Sequence, residues 1–292
     1  MEKCNLCPRG CNVPRDEKEG FCGTGNRIKV ARASLHMWEE PPVSGWRGSG
    51  TVFFSGCALR CIYCQNIEIS RGKKGKEITL LELRDICLRL RDMGAHNINL
   101  VTPSHFAPLI REALMPIKSE LGIPIVCNTG GYDSPEVLEC FRGLVDVYLP
   151  DFKYADGDLA KRLSSAQDYP EKALEAIKIM YSQAGKPVFD ENGLIKSGVI
   201  VRHLCLPGER KNSIRAVEVL GENFKSDEIC LSLMRQYTPI EGMTGSLARR
   251  LTTFEYESVI RAAEKYGFCG FYQSAESASE SFIPSFDLTG IE

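Results

Sequence analysis

Residues 51–66, "TVFFSGCALRCIYCQN", constrain this chain more than any other stretch. A β-branched and aromatic run ends at Ser55-Gly56 and is followed at once by Cys57, Cys61 and Cys64, spaced C-x3-C-x2-C. On a helix these positions would form one stripe, and cysteine is a common core residue. A stripe holding three cysteines and no Leu or Val, at a strand end where barrel active sites collect, reads instead as three thiolates directed at one metal centre. A structural zinc site takes four ligands, and an electron-transfer iron–sulfur cluster is usually held by four cysteines. Three thiolates on a cubane leave one iron open to a substrate or cofactor, so the spacing argues for a reactive cluster.

The surrounding pattern shows what carries this loop. Short β-rich runs, "TVFF" (51–54), "INLV" (98–101), "PIVCN" (124–128), "VDVYL" (145–149), "GVIVRHL" (198–204) and "EICLSL" (228–233), alternate with segments whose apolar residues recur at helical spacing. Near-continuously apolar strands alternating with helices predict an α/β fold with a parallel sheet covered on both faces. Six such units suit a partial (β/α)6 TIM-like barrel better than a closed eight-fold one. A hairpin-like insertion is expected at Asn192-Gly193. The reading divides the chain into a cysteine-rich extension (1–48), the barrel (49–240) and a C-terminal helix, strand and tail (241–292). The extension ends in "EEPPVSGWRGSG", which reads as a linker. The tail "FIPSFDLTG" is apolar enough to pack across the barrel mouth.

Cys4, Cys7, Cys11 and Cys22 in that extension are spaced C-x2-C-x3-C-x10-C, with glycines and a proline at the intervening turns. Four thiolates suit a closed zinc site or a fully ligated second iron–sulfur cluster, and the spacing does not separate the two. The other six of the 13 cysteines are scattered among apolar residues and read as buried thiols. An odd count cannot all pair, which with the absence of an apolar leader points to a reducing, cytoplasmic setting. The 36 basic and 38 acidic residues leave a formal charge of −2, with no general attraction to nucleic acid or to an anionic membrane. No apolar run approaches the length of a bilayer span.

The string "SGCALRCIYCQN", with Tyr63 before the last cysteine, resembles the radical S-adenosylmethionine superfamily and, within it, the pyruvate formate-lyase activating enzymes. The resemblance covers about residues 50–240. It implies a [4Fe–4S] cluster on Cys57, Cys61 and Cys64, S-adenosylmethionine on the open iron, and its one-electron cleavage to a 5′-deoxyadenosyl radical that abstracts hydrogen. A flavodoxin- or ferredoxin-like electron donor is implied, as is a partner protein whose glycine loses the hydrogen. The family's D-x-K after the fourth strand is matched by Asp151 and Lys153, which lie on one side of an extended chain. Arg202 is a charge inside an apolar strand and needs an anionic partner; the matching position in similar enzymes reaches the cofactor. His203 should face the opposite way. By the same resemblance Tyr63 and Gln236 or Tyr237 fall near the cofactor, and after the third strand Asn128 precedes two glycines, Gly130 and Gly131, that allow close backbone approach to a ligand. The family's Gly-Gly-Glu after the second strand is replaced by "TPSH", so Thr102, Ser104 and His105 stand where a carboxylate is usual. Two other readings are a radical enzyme acting on a small molecule or peptide side chain, and a non-catalytic metal or electron-transfer protein.

Overall fold

The computed structural model describes residues 4–273 and 284–291. One sheet contains β1 (Ile28–His36), β2 (Ser49–Phe54), β3 (Lys76–Ile78), β4 (Ile98–Val101), β5 (Ile125–Thr129), β6 (Val147–Pro150), β7 (Val188–Phe189), β8 (Ile195–Leu204), β9 (Cys230–Met234) and β10 (Gly270–Tyr272). Their order is β10-β9-β8-β6-β5-β4-β2-β1-β3, with β7 beside β8. From β2 to β10 the neighbours run parallel, while β1 and β3 extend the other edge antiparallel. Each of β2, β4, β5, β6, β8 and β9 is followed by helix, the last being Thr253–Glu264. Among the described residues β10 and β3 are the two free edges, so this is a partial (β/α)6 barrel.

Alternation along the strands places the core. Val52, Phe54, Ile98, Leu100, Tyr148, Val201 and Leu233 face the helices and join the main apolar cluster with Leu83, Ile110, Leu138 and Val217. The intervening residues Val126, Val147, Leu149, Ile200 and Cys230 form a second cluster inside the barrel. A buried Leu or Ile contributes about 1.5–3 kcal/mol by its removal from water, so this two-sided pattern fixes which residues can face the lumen. Helix starts are set locally. Thr79 caps Leu80–Asp92, its hydroxyl accepting from Glu82 N–H (3.2 Å) while Glu82 accepts from Thr79 N–H (2.6 Å).

Three departures from the sequence reading have identifiable causes. The helical pattern of 106–121 breaks into Ala107–Leu114, a tight turn and Lys118–Leu121, because Pro116 has no N–H to continue the ladder. Gly157–Ser164 is a helix that periodicity did not reveal; Asp156 caps it by accepting from Asp158 and Leu159. The third lies in the first 48 residues. Ile28–His36 is a nine-residue strand paired with β2, and the supposed linker contains a helical turn at Pro41–Ser44 with Val43 fully buried among the lumen residues. Pro42 and Gly50 punctuate a segment that is packed rather than loose. In the tail, Phe286 packs with Phe53, Val101, Ile69 and Ala31, while residues 274–283, within which "FI" of the tail motif falls, lie outside the described residues.

Candidate active site

The chain leaves β2 through Gly56 at φ +93, where an added Cβ would stand 2.8 Å from the Cys22 carbonyl oxygen. Cys57 N–H donates to that same carbonyl (3.2 Å). Leu59 N–H donates to Cys57 Sγ (3.4 Å), and the Ser164 hydroxyl donates to Cys61 Sγ (3.0 Å). Behind Ser164 stand Tyr154 and Tyr63, whose hydroxyls are linked at 2.7 Å each, so a buried chain of hydroxyls ends on a cysteine sulfur. Burial pushes the Cys57 thiol up and the Cys64 thiol up to about 12; neighbouring cysteines add to both shifts and the Lys153 ammonium opposes them. Thiols held this way ionise readily only beside added positive charge, which an iron–sulfur core supplies. Among the described residues no three His, Cys, Asp or Glu side chains close around a single ion. A cubane takes one thiolate per iron, so its three ligands stand farther apart than those of a single ion, and the donor set fits the cluster.

The lumen beside this loop holds the predicted charges. Arg202 Nε donates to Asp151 Oδ1 (2.9 Å), and Lys153 is paired with the other oxygen of Asp151. Arg202 Nη2 donates to Asn128 Oδ1 (2.6 Å). Burial alone would raise the Asp151 carboxyl, but Arg202 and Lys153 together hold it below the usual range. Burial would likewise lower the Lys153 ammonium, yet Asp151 and then Cys61 raise it. Lys153 thus lies between a carboxylate and a cysteine of the loop. Two partners were missed by the sequence reading. Glu39 accepts from Arg202 Nη1 (3.1 Å), and Glu40 lies 3.9 Å from the same nitrogen. Both glutamates come from the segment read as a linker, and burial pushes both carboxyls upward against the pull of Arg202.

The four N-terminal cysteines sit directly against the loop through the Cys22 carbonyl. Sγ of Cys11 and Sγ of Cys22 each lie 3.6 Å from the place a Cβ on Gly20 would occupy. Phe21 N–H points at Cys11 Sγ (3.3 Å), and Cys22 Sγ lies 3.1 Å from the Thr24 hydroxyl. Burial pushes the Cys7 thiol up to about 12, and Cys11, Cys22 and Cys4 add to it. Arg9 ties the group to the barrel, donating to the carbonyls of Ala58 (2.8 Å), Ser164 (2.7 Å) and Ser165.

The radical SAM superfamily model matches residues 51–219, more than half of the chain. The chain belongs to the radical SAM superfamily. An uncharacterized protein of Methanocaldococcus jannaschii is 30% identical over 283 residues, covering 91% of this chain and 75% of that protein. The pyruvate formate-lyase-activating enzyme of Clostridium pasteurianum is 32% identical over 189 residues, 61% of this chain and 71% of that enzyme. Among solved structures, Streptococcus suis SuiB bound to S-adenosylmethionine aligns with TM-score 0.53 at 12% identity, over 79% of this chain and 51% of SuiB. SuiB bound to the precursor peptide SuiA aligns equally well (0.53, 12%), over 75% of this chain and 46% of that one. That likeness is one of fold, and the chain spans about half the length of those structures. Membership in the superfamily implies a [4Fe–4S] cluster and S-adenosylmethionine.

Against that background the remaining predicted residues divide. Thr102, at the end of β4, has φ +57, a left-handed conformation costly for a β-branched side chain and characteristic of functional turns; its N–H donates to Asn128 O (2.7 Å). Ser104 lies 3.4 Å from the Thr129 hydroxyl, which donates to buried Asp133 (2.6 Å). His105 is tied through one ring nitrogen. It is buried, its Nε2 lies 2.7 Å from the Ser55 carbonyl, and burial lowers it to about 4. The acceptor being a carbonyl, Nε2 carries the proton, and the ring braces the cysteine loop. Tyr63 acts through the hydroxyl chain to Cys61. Tyr237 is buried with its hydroxyl on Leu247 O (2.6 Å), so it packs behind the site. Gln236 stays close, its carbonyl accepting from Gln65 Nε2 (3.2 Å) just past Cys64. His203 faces away from the lumen, as expected, bonded to Phe152 O (2.6 Å). The two glycines after β5 serve the protein itself: a Cβ on Gly131, at φ +79, would lie 2.2 Å from Asp151 O. A surface groove of ≈ 750 Å³ lined by Met115, Lys118, Pro124, Asp146 and Lys196 lies at the opposite end of the strands and carries none of this chemistry. Among the described residues no helix is long and apolar enough to cross a membrane.

Proposed function

We propose that this chain is a radical S-adenosylmethionine enzyme that abstracts a hydrogen atom from a peptide or protein substrate, in the manner of an activating enzyme. When bound, the cluster would supply the electron for reductive cleavage of S-adenosylmethionine, the source of the hydrogen-abstracting group. Cys57, Cys61 and Cys64 would hold the cluster. Lys153 is suited to the cofactor's carboxylate and Asp151 to its ammonium, with Arg202, itself held by Asn128, fixing Asp151 from below. Thr102 and Ser104 contribute hydroxyls and carbonyls where the family has a carboxylate. Cys4, Cys7, Cys11 and Cys22 are assigned to a second metal centre, with a flavodoxin- or ferredoxin-like protein as electron donor. Free thiols throughout the described chain suit a cytoplasmic setting.

The observation that carries this reading is Lys153, paired with Asp151 on one side and electrostatically coupled to Cys61 on the other. The activating-enzyme relatives support a protein substrate. Phe286, resting on Phe53 and Val101 at the lumen edge, supports a second reading, an enclosed site acting on a small molecule or peptide side chain. The test is anaerobic reconstitution with iron and sulfide, reduction, addition of S-adenosylmethionine and quantitation of 5′-deoxyadenosine. Product is expected from the wild type and none from Cys64→Ala. Asp151→Ala is expected to keep its cluster and to bind S-adenosylmethionine about tenfold more weakly, consistent with loss of a charge-assisted contact. A full cluster without product in the wild type would overturn the proposal.

A further inference from the structure

Glu39 enters the barrel from a segment 163 positions before Arg202. Its side chain is 9% exposed, against 13% for Arg202. Three side chains close a ring: Arg202 Nη1 donates to Glu39 Oε2 (3.1 Å), Arg202 Nη2 to Asn128 Oδ1 (2.6 Å), and Asn128 Nδ2 to Glu39 Oε1 (3.1 Å). Asn99 Nδ2 adds a third donor to Glu39 at 3.1 Å. The Glu39 backbone is pinned as well, its N–H donating to the Ser44 hydroxyl (2.9 Å). Glu40 differs. One of its oxygens accepts from Ser232 (3.0 Å), but Oε2 has no hydrogen-bond partner and stands 3.9 Å from Arg202. Glu40 adds negative charge to the lumen, whereas Glu39 adds geometry.

We infer that Glu39 is a positioning residue for the cofactor pocket, holding the Arg202 guanidinium at the lumen floor so that Asp151 and Lys153 remain presented toward the cysteine loop. A guanidinium is a planar fork. Glu39 and Asn128 each engage one terminal nitrogen and so fix the rotation of the fork, in which Nε is the atom that donates to Asp151, at 2.9 Å. Without Glu39 the fork is free to turn and grip Asp151 with two parallel bonds, which would draw that carboxylate into the wall. A glutamine cannot substitute, because Glu39 receives donors at both oxygens and an amide would set an NH2 against one of them. The inference rests on the assignment of Asp151 and Arg202 to the cofactor pocket.

The test measures S-adenosylmethionine affinity of the reconstituted full chain by equilibrium dialysis, alongside iron content and thermal midpoint. Glu39→Gln is expected to weaken binding about tenfold with iron content unchanged, and Glu39→Gln with Arg202→Gln together to bind no more weakly than Arg202→Gln alone, as for residues acting in one network. If Arg202→Gln weakens binding while Glu39→Gln stays within twofold of wild type, or if the two losses add, the positioning role is overturned. If Arg202→Gln has no effect, the pocket assignment itself fails. Should Glu39→Gln not fold, Glu39→Asp stands in: still charged but one methylene short, it is expected to weaken binding about threefold, and unchanged affinity would count against Glu39.

Discussion

The two groups of clustered cysteines share a side-chain chemistry and differ in what holds them. Cys57, Cys61 and Cys64 hang from the end of β2, the last of the parallel strands, and the hydroxyl that donates to Cys61 comes from a helix 103 residues away. Cys4, Cys7, Cys11 and Cys22 precede the sheet, are braced by their own turns, and reach the barrel through Arg9, Arg15 and the Cys22 carbonyl. The trio is positioned by the fold; the tetrad is positioned on it. Cysteine number follows the same division: three beside a charged lumen, four in the turns that precede the sheet. On the proposed reading an open coordination place faces Lys153, Asp151 and Arg202, and the four-cysteine group forms a second metal centre behind it.

The largest expected effect separates the two groups outright. Whereas Cys64→Ala removes deoxyadenosine formation, replacing Cys4 and Cys7 together with Ala should release one metal centre and leave cleavage in place, measured by iron and zinc content beside product. Loss of cleavage in that double variant would make the tetrad part of the catalytic apparatus and erase the contrast. A smaller effect tests how the tetrad is attached. Arg9 lies 4.1 Å over the Phe21 ring and 5.4 Å from that of Tyr132 while making its three carbonyl bonds. Arg9→Ala should cost about 2–4 kcal/mol in denaturant unfolding, on the scale of a few net hydrogen bonds and a cation–π contact. An unchanged midpoint would mean that the cysteines' own turns suffice.

The smallest effect concerns the brace between them. His105 bonds Ser55 at the root of the trio's loop and accepts Arg15 of the tetrad's segment on its carbonyl. An unfolded chain binds the imidazole proton near pH 6.5, the folded one only near 4. The unfolded state therefore holds the extra proton between those values. Stability from this group is complete above 6.5 and is lost as pH falls toward 4, by up to about 3 kcal/mol. Urea midpoints measured from pH 7 to 4 should fall, with a shallower slope in His105→Gln. His203, likewise lowered to about 4 by burial, keeps part of the slope. A variant slope equal to wild type would remove His105 from the account.

Much of the barrel was legible because its signals are short in range. The apolar run at 98–101 coincides with β4, that at 124–128 lies within one residue of β5, and that at 198–204 covers the C-terminal part of β8. Arg202 announced itself as a charge inside such a run, and Asp151 and Lys153 as a same-side pair on extended chain. Glu39, Glu40, Ser164 and Tyr154 gave no such signal. The glutamates sit beside prolines in a stretch whose composition suits a loop, and nothing near Ser164 marks it as a donor to a sulfur. Tyr63, Tyr237 and His105 were visible as polar rings near the right loop, but not the protein partners that engage the two hydroxyls and His105 Nε2.

By itself the sequence determined the strand–helix alternation, the opposed sides of Arg202 and His203 and the two thiol groups, because periodicity and spacing act between neighbours a few residues apart. Only the tertiary structure decided that the segment before β2 is a floor rather than a linker, that Arg202 is shared among three carboxylates, and that His105 braces the cysteine loop through Ser55. Those partners meet only when the strands curve around a common lumen. Their pairing reflects the burial and hydrogen-bond demands of the whole barrel, which no local stretch of chain records.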